Sequence, residues 1–269
     1  MDKISTKIAL AFLIVLSIAS LLIPELSPYT YYQTNLPMKN LFPCLSHPFG
    51  TDELGRDIFT RIFFGVRISL FIGVAAAFID MLIGVVYGSI AGFFGKKTDE
   101  VMMRFADILN ALPHLLIVIL LMVLLGQGVG TILLALTCTG WITMARIVRA
   151  QILQLRELDY IAVAKLYGAS PFRIMRAHLI PNTMASILAT MTLTIPIAIY
   201  SEAFLSFLGL GVQLPLASLG SMAHDGLPAM RYYPWRLFFP AGFITCIMLS
   251  FNLLGDGLQD YFNPRIQPC

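Results

Sequence analysis

ISLFIGVAAAFIDMLIGVVYGSIAGFF, residues 68–94, decides the architecture of this chain. At 1.5 Å of rise per residue, a helix of that length crosses the ~30 Å hydrocarbon core of a bilayer with length to spare. Asp80 is the one ionisable interruption. Working outward, five more apolar runs appear, at residues 8–23, 112–125, 131–145, 183–210 and 237–254. Six transmembrane helices are the simplest count, which makes the chain an all-α polytopic membrane protein. Composition agrees: 12% of residues are charged and 58% hydrophobic, with a mean hydropathy of +0.80. Soluble domains carry about 25% charged residues. A net charge of +3 offers no basic surface for nucleic acid, and the expected surroundings are lipid bilayer.

The first run is marginal in length and would also fit the core of a signal peptide. No small-residue cleavage site separates it from the polar segment that follows, so an uncleaved first helix is expected. Gly126-Gln127-Gly128-Val129-Gly130 reads as a tight turn between the third and fourth runs. Orientation follows the basic residues. With the N-terminus inside, the inner segments hold Lys3, Lys7, Lys96, Lys97, Arg104, Arg146, Arg149, Arg156, Lys165, Arg173, Arg176 and Arg265. The outer segments hold Lys39, Arg56, Arg61, Arg67, Arg231 and Arg236. That asymmetry predicts both termini in the cytoplasm. The whole chain, 1–269, reads as one membrane domain with a core at 68–257, an outer segment at 26–67 and a cytoplasmic loop at 159–182.

Gly84, Gly88 and Gly92 recur every four residues and make a smooth helix face for close packing. The spacing serves a contact within the chain or one with another subunit equally well. Cys44, Cys138, Cys246 and Cys269 show no CxxC or Cys/His spacing, so no disulfide framework or metal site is expected. Cys138 and Cys246 read as small packing residues inside spans.

The loop DYIAVAKLYGASPFRIMRAHLIPN, residues 159–182, is basic and helix-patterned, although spanning lipid does not require it. Tyr160, Val163, Ala164 and Tyr167 fall at i, i+3, i+4 and i+7. Gly168 ends this first helix, Ser170 caps a second, and Pro171 takes its first position. Phe172, Ile174 and Met175 stand beside Arg173 and Arg176, and Pro181 is expected to close the segment. Two short helices joined at a glycine make a compact knob. It fits an amphipathic loop on the membrane surface and a grip for another protein equally well.

The knob resembles the "EAA" coupling motif of permease subunits of ATP-binding-cassette importers: Glu-Ala-Ala, three residues, Gly, nine residues, Ile-x-Leu-Pro. Ala164, Gly168 and Pro181 match, and Ile180 takes the Leu position. Ala162 stands at the Glu, Val163 at the first Ala and His178 at the Ile. GTDELGRDIFTRIFFGVRISL (50–70), EAFLSFLGLG (202–211) and FNLLGDGLQDYFNP (251–264) look like the C-type permease of di- and oligopeptide, nickel and glutathione importers. The resemblance covers about residues 47–264. Leu219 departs from it where the family commonly has Trp. Residues 66–103 look most like the oligopeptide branch.

The resemblance implies a type I importer architecture and a set of partners: a second, homologous permease subunit, two ATPase subunits and an extracytoplasmic substrate-binding protein. ATP and Mg would bind the ATPases, and this chain would hold no cofactor. The bacterial cell membrane is the expected location. The coupling loop would use Ala164, Lys165, Gly168, Ala169, Ser170, Phe172, Arg173, Arg176 and Pro181. With Ala162 in place of the Glu, docking would rest on the glycine bend, the apolar groups and the basic residues.

The chain is not expected to be an enzyme. A P-loop needs G-x4-GK-[ST], and the nearest lookalike, Gly92-Phe93-Phe94-Gly95-Lys96-Lys97-Thr98, is too short. A stand-alone secondary carrier is the alternative of a different class, disfavoured by the lack of an evident inverted repeat. Asp80 and Glu202 are the acids within apolar runs, each costing about 2.5–3.5 kcal/mol at a helix centre. They are candidates for the translocation pathway, with Tyr200 and Ser201 beside Glu202, or for structural bonds between helices. In the outer segment, Asp52, Arg56, Asp57, Arg61 and Arg67 alternate in sign. The expected form is a helix over 51–67, a solvated face that seats the second span in preference to one that lies along the membrane surface and meets the binding protein, with Asp52 and Arg56 placed to pair at i,i+4. His47, His114, His178 and His224 are scattered and are expected to be structural.

Overall fold

The computed structural model describes residues 3–213 and 215–262. Cys269, Arg265 and the Asn263-Pro264 end of the 251–264 motif lie outside the described residues, and with them the expected cytoplasmic C-terminus. Among the described residues, ten α-helices follow one another: α1 Lys3–Leu26, α2 Ile58–Phe94, α3 Lys96–Ala111, α4 His114–Leu125, α5 Val129–Leu155, α6 Asp159–Leu166, α7 Pro171–Ile174, α8 Ile180–Phe207, α9 Leu219–Gly226 and α10 Trp235–Phe262. Among the described residues, five helical stretches are long and apolar enough to cross a membrane, and a sixth span exists if the pair α3–α4, bent by 77°, counts as one.

The axis of the bundle is α2. It is 37 residues long, about 55 Å at 1.5 Å per residue, so it crosses the bilayer and projects beyond it. Asp57 caps its start by accepting the Thr60 backbone N–H at 2.8 Å. One face of α2 carries Gly84, Gly88 and Gly92 against α5. A Cβ at these positions would fall 2.6 Å from Met144 Cβ, 2.4 Å from the Ala145 carbonyl oxygen and 3.0 Å from the Arg149 carbonyl oxygen. The glycine face is therefore spent inside the chain. Higher on α2, Gly73 meets Ile199 of α8 and Gly65 meets the start of α9. Apolar clusters fill the spaces so formed. Ile62, Val66, Ile199, Leu219, Ile247 and Phe251 belong to the cluster where α2, α8, α9 and α10 meet. Ile72, Val118, Met122, Ile132 and Leu136 fill another between α2, α4 and α5.

The outer segment differs from its expected form. Residues 51–57 are a loop closed by a Thr51–Asp57 bridge, and α2 begins at Ile58. The charges face inward: Asp52, Arg56, Asp57 and Arg61 are all buried. Asp52 and Arg56 do pair, at 2.6 Å, with Arg61 at 3.6 Å from the same oxygen. The pairing arises because the Asp52 Oδ1 also accepts the backbone N–H groups of Leu54 and Arg56, folding the loop about the carboxylate. A solvated helix is ruled out by that turn, which the i,i+4 spacing cannot distinguish from a helix. His47 joins the same buried network through Asp57, at 2.9 Å. Two further expectations change. The third run is only the 12-residue α4, preceded by the polar α3. Cys138 and Cys246 lie on exposed helix faces instead of packing inside the bundle.

Candidate functional site: a two-helix knob and a polar cavity

The knob begins where α5 ends. Arg156 closes that end, its guanidinium donating to the Gly92 carbonyl of α2 at 2.9 Å. Leu158 then turns extended and α6 starts at Asp159. After α6, Gly168 takes φ +76°, its N–H reaching the Lys165 carbonyl at 3.0 Å while the Ala169 N–H reaches the Ala164 carbonyl at 3.1 Å. Among the described residues, nothing lies within 4 Å of where a Gly168 Cβ would be. The glycine is there for its backbone conformation and not for space. Ser170 caps α7, with Pro171 at its first position.

The inward side of the knob is apolar. Ile161, Ile174 and Leu179 are fully buried against Val148 and Ile152 of α5 and Ile187 of α8. The outward side presents Leu166, Tyr167 and Phe172, exposed at 86%, 88% and 67%. Arg173, Arg176 and Ser170 share that outward side, while Lys165 places its ammonium 5.7 Å from the centre of the Phe93 ring on α2.

Pro181 does not close the segment. The chain passes from α7 through a π-helical turn, Met175–Leu179, straight into α8, with the Ile180 N–H bonded to the Met175 carbonyl. A proline inside a helix lacks its own N–H and crowds the preceding turn, and the wider π turn ahead of Pro181 accommodates it. Residues Pro171–Phe207 thus form one helical rod. The second half of the knob is the end of a membrane span.

The candidate pathway residues separate, because successive helix side chains diverge by about 100°. Glu202 is fully buried (0% exposed). Ser69 of α2 donates to it at 2.9 Å and Ser206 at 2.8 Å, and Ser218, ahead of α9, donates to Ser206 at 3.1 Å. This knot ties α2, α8 and α9 together. Tyr200 points outward from α8, and Ser201 faces a cavity.

That cavity, about 230 Å³, lies between α2, α5, α8 and the α3–α4 bend. Asp80, Asn110, His114, Thr139, Thr143, Thr194 and Ser201 supply its polar lining. Glu202 is absent from the lining, so the two acids do not meet. Asp80 is 4% exposed, and its Oδ1 has no hydrogen-bond partner among the described residues. Gly140 of α5 lets the carboxylate in: a Cβ there would come within 2.2 Å of the Asp80 Oδ2. His114 bonds Thr139 at 2.6 Å, which agrees with a structural histidine, but it also lines this cavity. Sequence reasoning missed Asn110, Thr139, Thr143 and Thr194. The one signal for them was Thr139 and Thr143 at i,i+4 on a single helix face. Among the described residues, no group of three or more His, Cys, Asp or Glu side chains could hold a metal.

Comparison with known proteins places the chain in a family and supports its fold. Residues 84–268 match the family described as binding-protein-dependent transport system inner membrane component. The oligopeptide transport system permease protein OppC of Bacillus subtilis is 57% identical, over 98% of this chain and 87% of its own length. The dipeptide transport system permease protein DppC of the same organism is 55% identical, over 96% and 80%. Among solved structures, an inward-facing MetNI methionine ABC transporter chain superposes with TM-score 0.58 at 16% identity, over 77% of this chain and 98% of that one. An amino acid ABC transporter chain gives 0.57 at 17% identity, over 76% and 95%. At such identities the last two speak to the fold alone.

Proposed function

This chain belongs to the family of binding-protein-dependent transport system inner membrane components, and from that membership we propose that it is one half of the translocation pathway of an ATP-driven peptide importer. Its relatives are permease subunits of oligopeptide and dipeptide systems over nearly the whole length compared. The chain does transport work, and ATP hydrolysis belongs to separate subunits. In this reading it sits in the bacterial inner membrane beside a second permease subunit. Two ATPase subunits carrying ATP and Mg dock from the cytoplasm, and a binding protein delivers peptide outside. The excess of Lys and Arg at the knob end of the bundle supports a cytoplasmic knob and a cytoplasmic N-terminus.

The observation that carries the coupling mechanism is the unbroken rod from α7 into α8. Ala164, Lys165, Gly168, Ala169, Ser170, Phe172, Arg173, Arg176 and Pro181 build the knob. An ATPase that seats Tyr167 and Phe172 in a groove moves α7, and the rod carries that movement past Ser201 and Glu202 to the opposite end of α8. Rigid displacement of a packed element is what alternating access requires. Glu202 serves here as a tie that makes α2 and α9 follow α8, while Asp80, Ser201 and Tyr200 stand nearer the path.

The test is uptake of Ala-Ala-Ala into vesicles holding the complete complex with its binding protein. ATP-dependent uptake is expected, with Gly168→Leu inserting normally but losing most of it. Uptake of nickel with no uptake of peptide would displace the substrate reading, and peptide uptake by this chain without any ATPase subunit would make it a carrier instead.

A further inference from the structure

We propose that the cavity at Asp80 is a transit site for the protonated amino terminus of the peptide, an inference that rests on the peptide reading above. Asp80 lies in the middle of α2, where a lone carboxylate is costly. The two buried acids within the apolar spans are treated differently. Glu202 has two serine hydroxyls donating to it. Among the described residues the Asp80 Oδ1 has no hydrogen-bond partner, and Asp80 lines a cavity. A buried acceptor kept unsatisfied beside a cavity is explained if a ligand completes it.

The lining specifies the ligand. The Thr194 hydroxyl donates to the Thr190 carbonyl at 3.0 Å and the Ser201 hydroxyl to the Ile197 carbonyl at 2.9 Å. Their protons are committed to their own helix, so their oxygens remain as acceptors. With the Asp80 carboxyl group they make a cavity rich in acceptors, suited to a cation that donates several hydrogen bonds. A primary ammonium has three such donors. A zinc ion is a poor fit, since zinc sites gather three or more Cys, His, Asp or Glu ligands and this lining offers one carboxylate and one histidine.

Size restricts the occupant further. A volume of about 230 Å³ equals that of roughly eight waters at ~30 Å³ each, enough for the amino end of a peptide but not its length. The cavity would therefore recognise the one group that all unblocked peptides share and leave their side chains unread.

The test compares Ala-Ala-Ala with N-acetyl-Ala-Ala-Ala in vesicles carrying the full complex. Asp80→Asn, nearly isosteric, is expected to lower uptake of the free-amino peptide about tenfold and to leave the acetylated peptide unchanged. The same binding protein serves both permeases, so its own preference cancels when the two peptide ratios are divided. Equal losses for both peptides, which a structural role would produce, overturn the proposal, and so does no loss for either. If the wild type carries neither peptide, the substrate reading is what has failed and the inference falls with it. A second measurement needs no variant: methylammonium should inhibit free-amino uptake by the wild type several-fold more than equimolar tetramethylammonium, with the binding protein's affinity checked in the same salts. Equal inhibition overturns the proposal as well.

Discussion

Replacing Gly88 by alanine tests the packing on which both sites depend. A Cβ at Gly88 would lie 2.4 Å from the Ala145 carbonyl oxygen and 3.0 Å from Val148 Cβ. Ordinary C···O contacts are about 3.3–3.6 Å, so the methyl group arrives about 1 Å too close. The obstacle is backbone and cannot rotate away. Relief requires α2 and α5 to part, and a radial gap of 0.5–1 Å already forfeits about a quarter to a half of each contact's dispersion energy. Overpacking of this kind costs about 1–3 kcal/mol. Gly242 of α10 is the control. Among the described residues nothing stands within 4 Å of its Cβ position, and alanine there gains up to about 1 kcal/mol of helix propensity. Thermal unfolding of the detergent-purified complex is the assay. At about 2–4 °C per kcal/mol for a chain near this size, Gly88→Ala should melt several degrees below the wild type and Gly242→Ala at or above it. A Gly88→Ala complex as stable as the wild type would mean that the glycine face is not the α2–α5 seam.

Asp52→Asn should destabilise the outer segment by about 3–5 kcal/mol, because it strands the buried guanidiniums of Arg56 and Arg61; limited proteolysis of that segment reads the effect, and unchanged resistance would count against the buried network. Glu202→Gln keeps one acceptor oxygen and should cost only about 1 kcal/mol, whereas Glu202→Leu strands the Ser69 and Ser206 hydroxyls at about 1–3 kcal/mol each. Equal melting of the two variants would refute the tie. The exposed Cys44 thiol accepts or donates a hydrogen bond with the Ser46 hydroxyl at 3.2 Å, and that contact holds its pKa below the usual thiol value. A membrane-impermeant maleimide added to intact cells should therefore label Cys44 and spare Cys138 and Cys246 within the spans. No labelling until the cells are opened would reverse the proposed orientation.

Much of the knob was legible beforehand because its signals are local. Gly168 at positive φ, Ser170 as a cap and Pro171 at a first position each express what one residue does to the backbone beside it. Pro181 misled for the same reason: proline is a helix terminator locally, and only the chain's passage through a π turn turns it into a joint within one rod. The outer segment misled because an i,i+4 charge pair satisfies a helix and a tight loop alike. His114 and Thr139 lie 25 positions apart, and no periodicity could place them with Asp80 in one cavity.

By itself the sequence determined that this chain lives in lipid and roughly where it crosses. The free energy of burying a 20-residue apolar run is a sum over its residues and does not depend on what packs against them. It also determined the knob, through backbone preferences that act within a few residues. Only the tertiary structure decided that the Gly84–Gly88–Gly92 face closes on α5, that Glu202 is enclosed by serines, and that Asp80 opens on a polar cavity. Those outcomes depend on which helices approach within a few ångströms, and a carboxylate's environment at that range is set by residues far away along the chain.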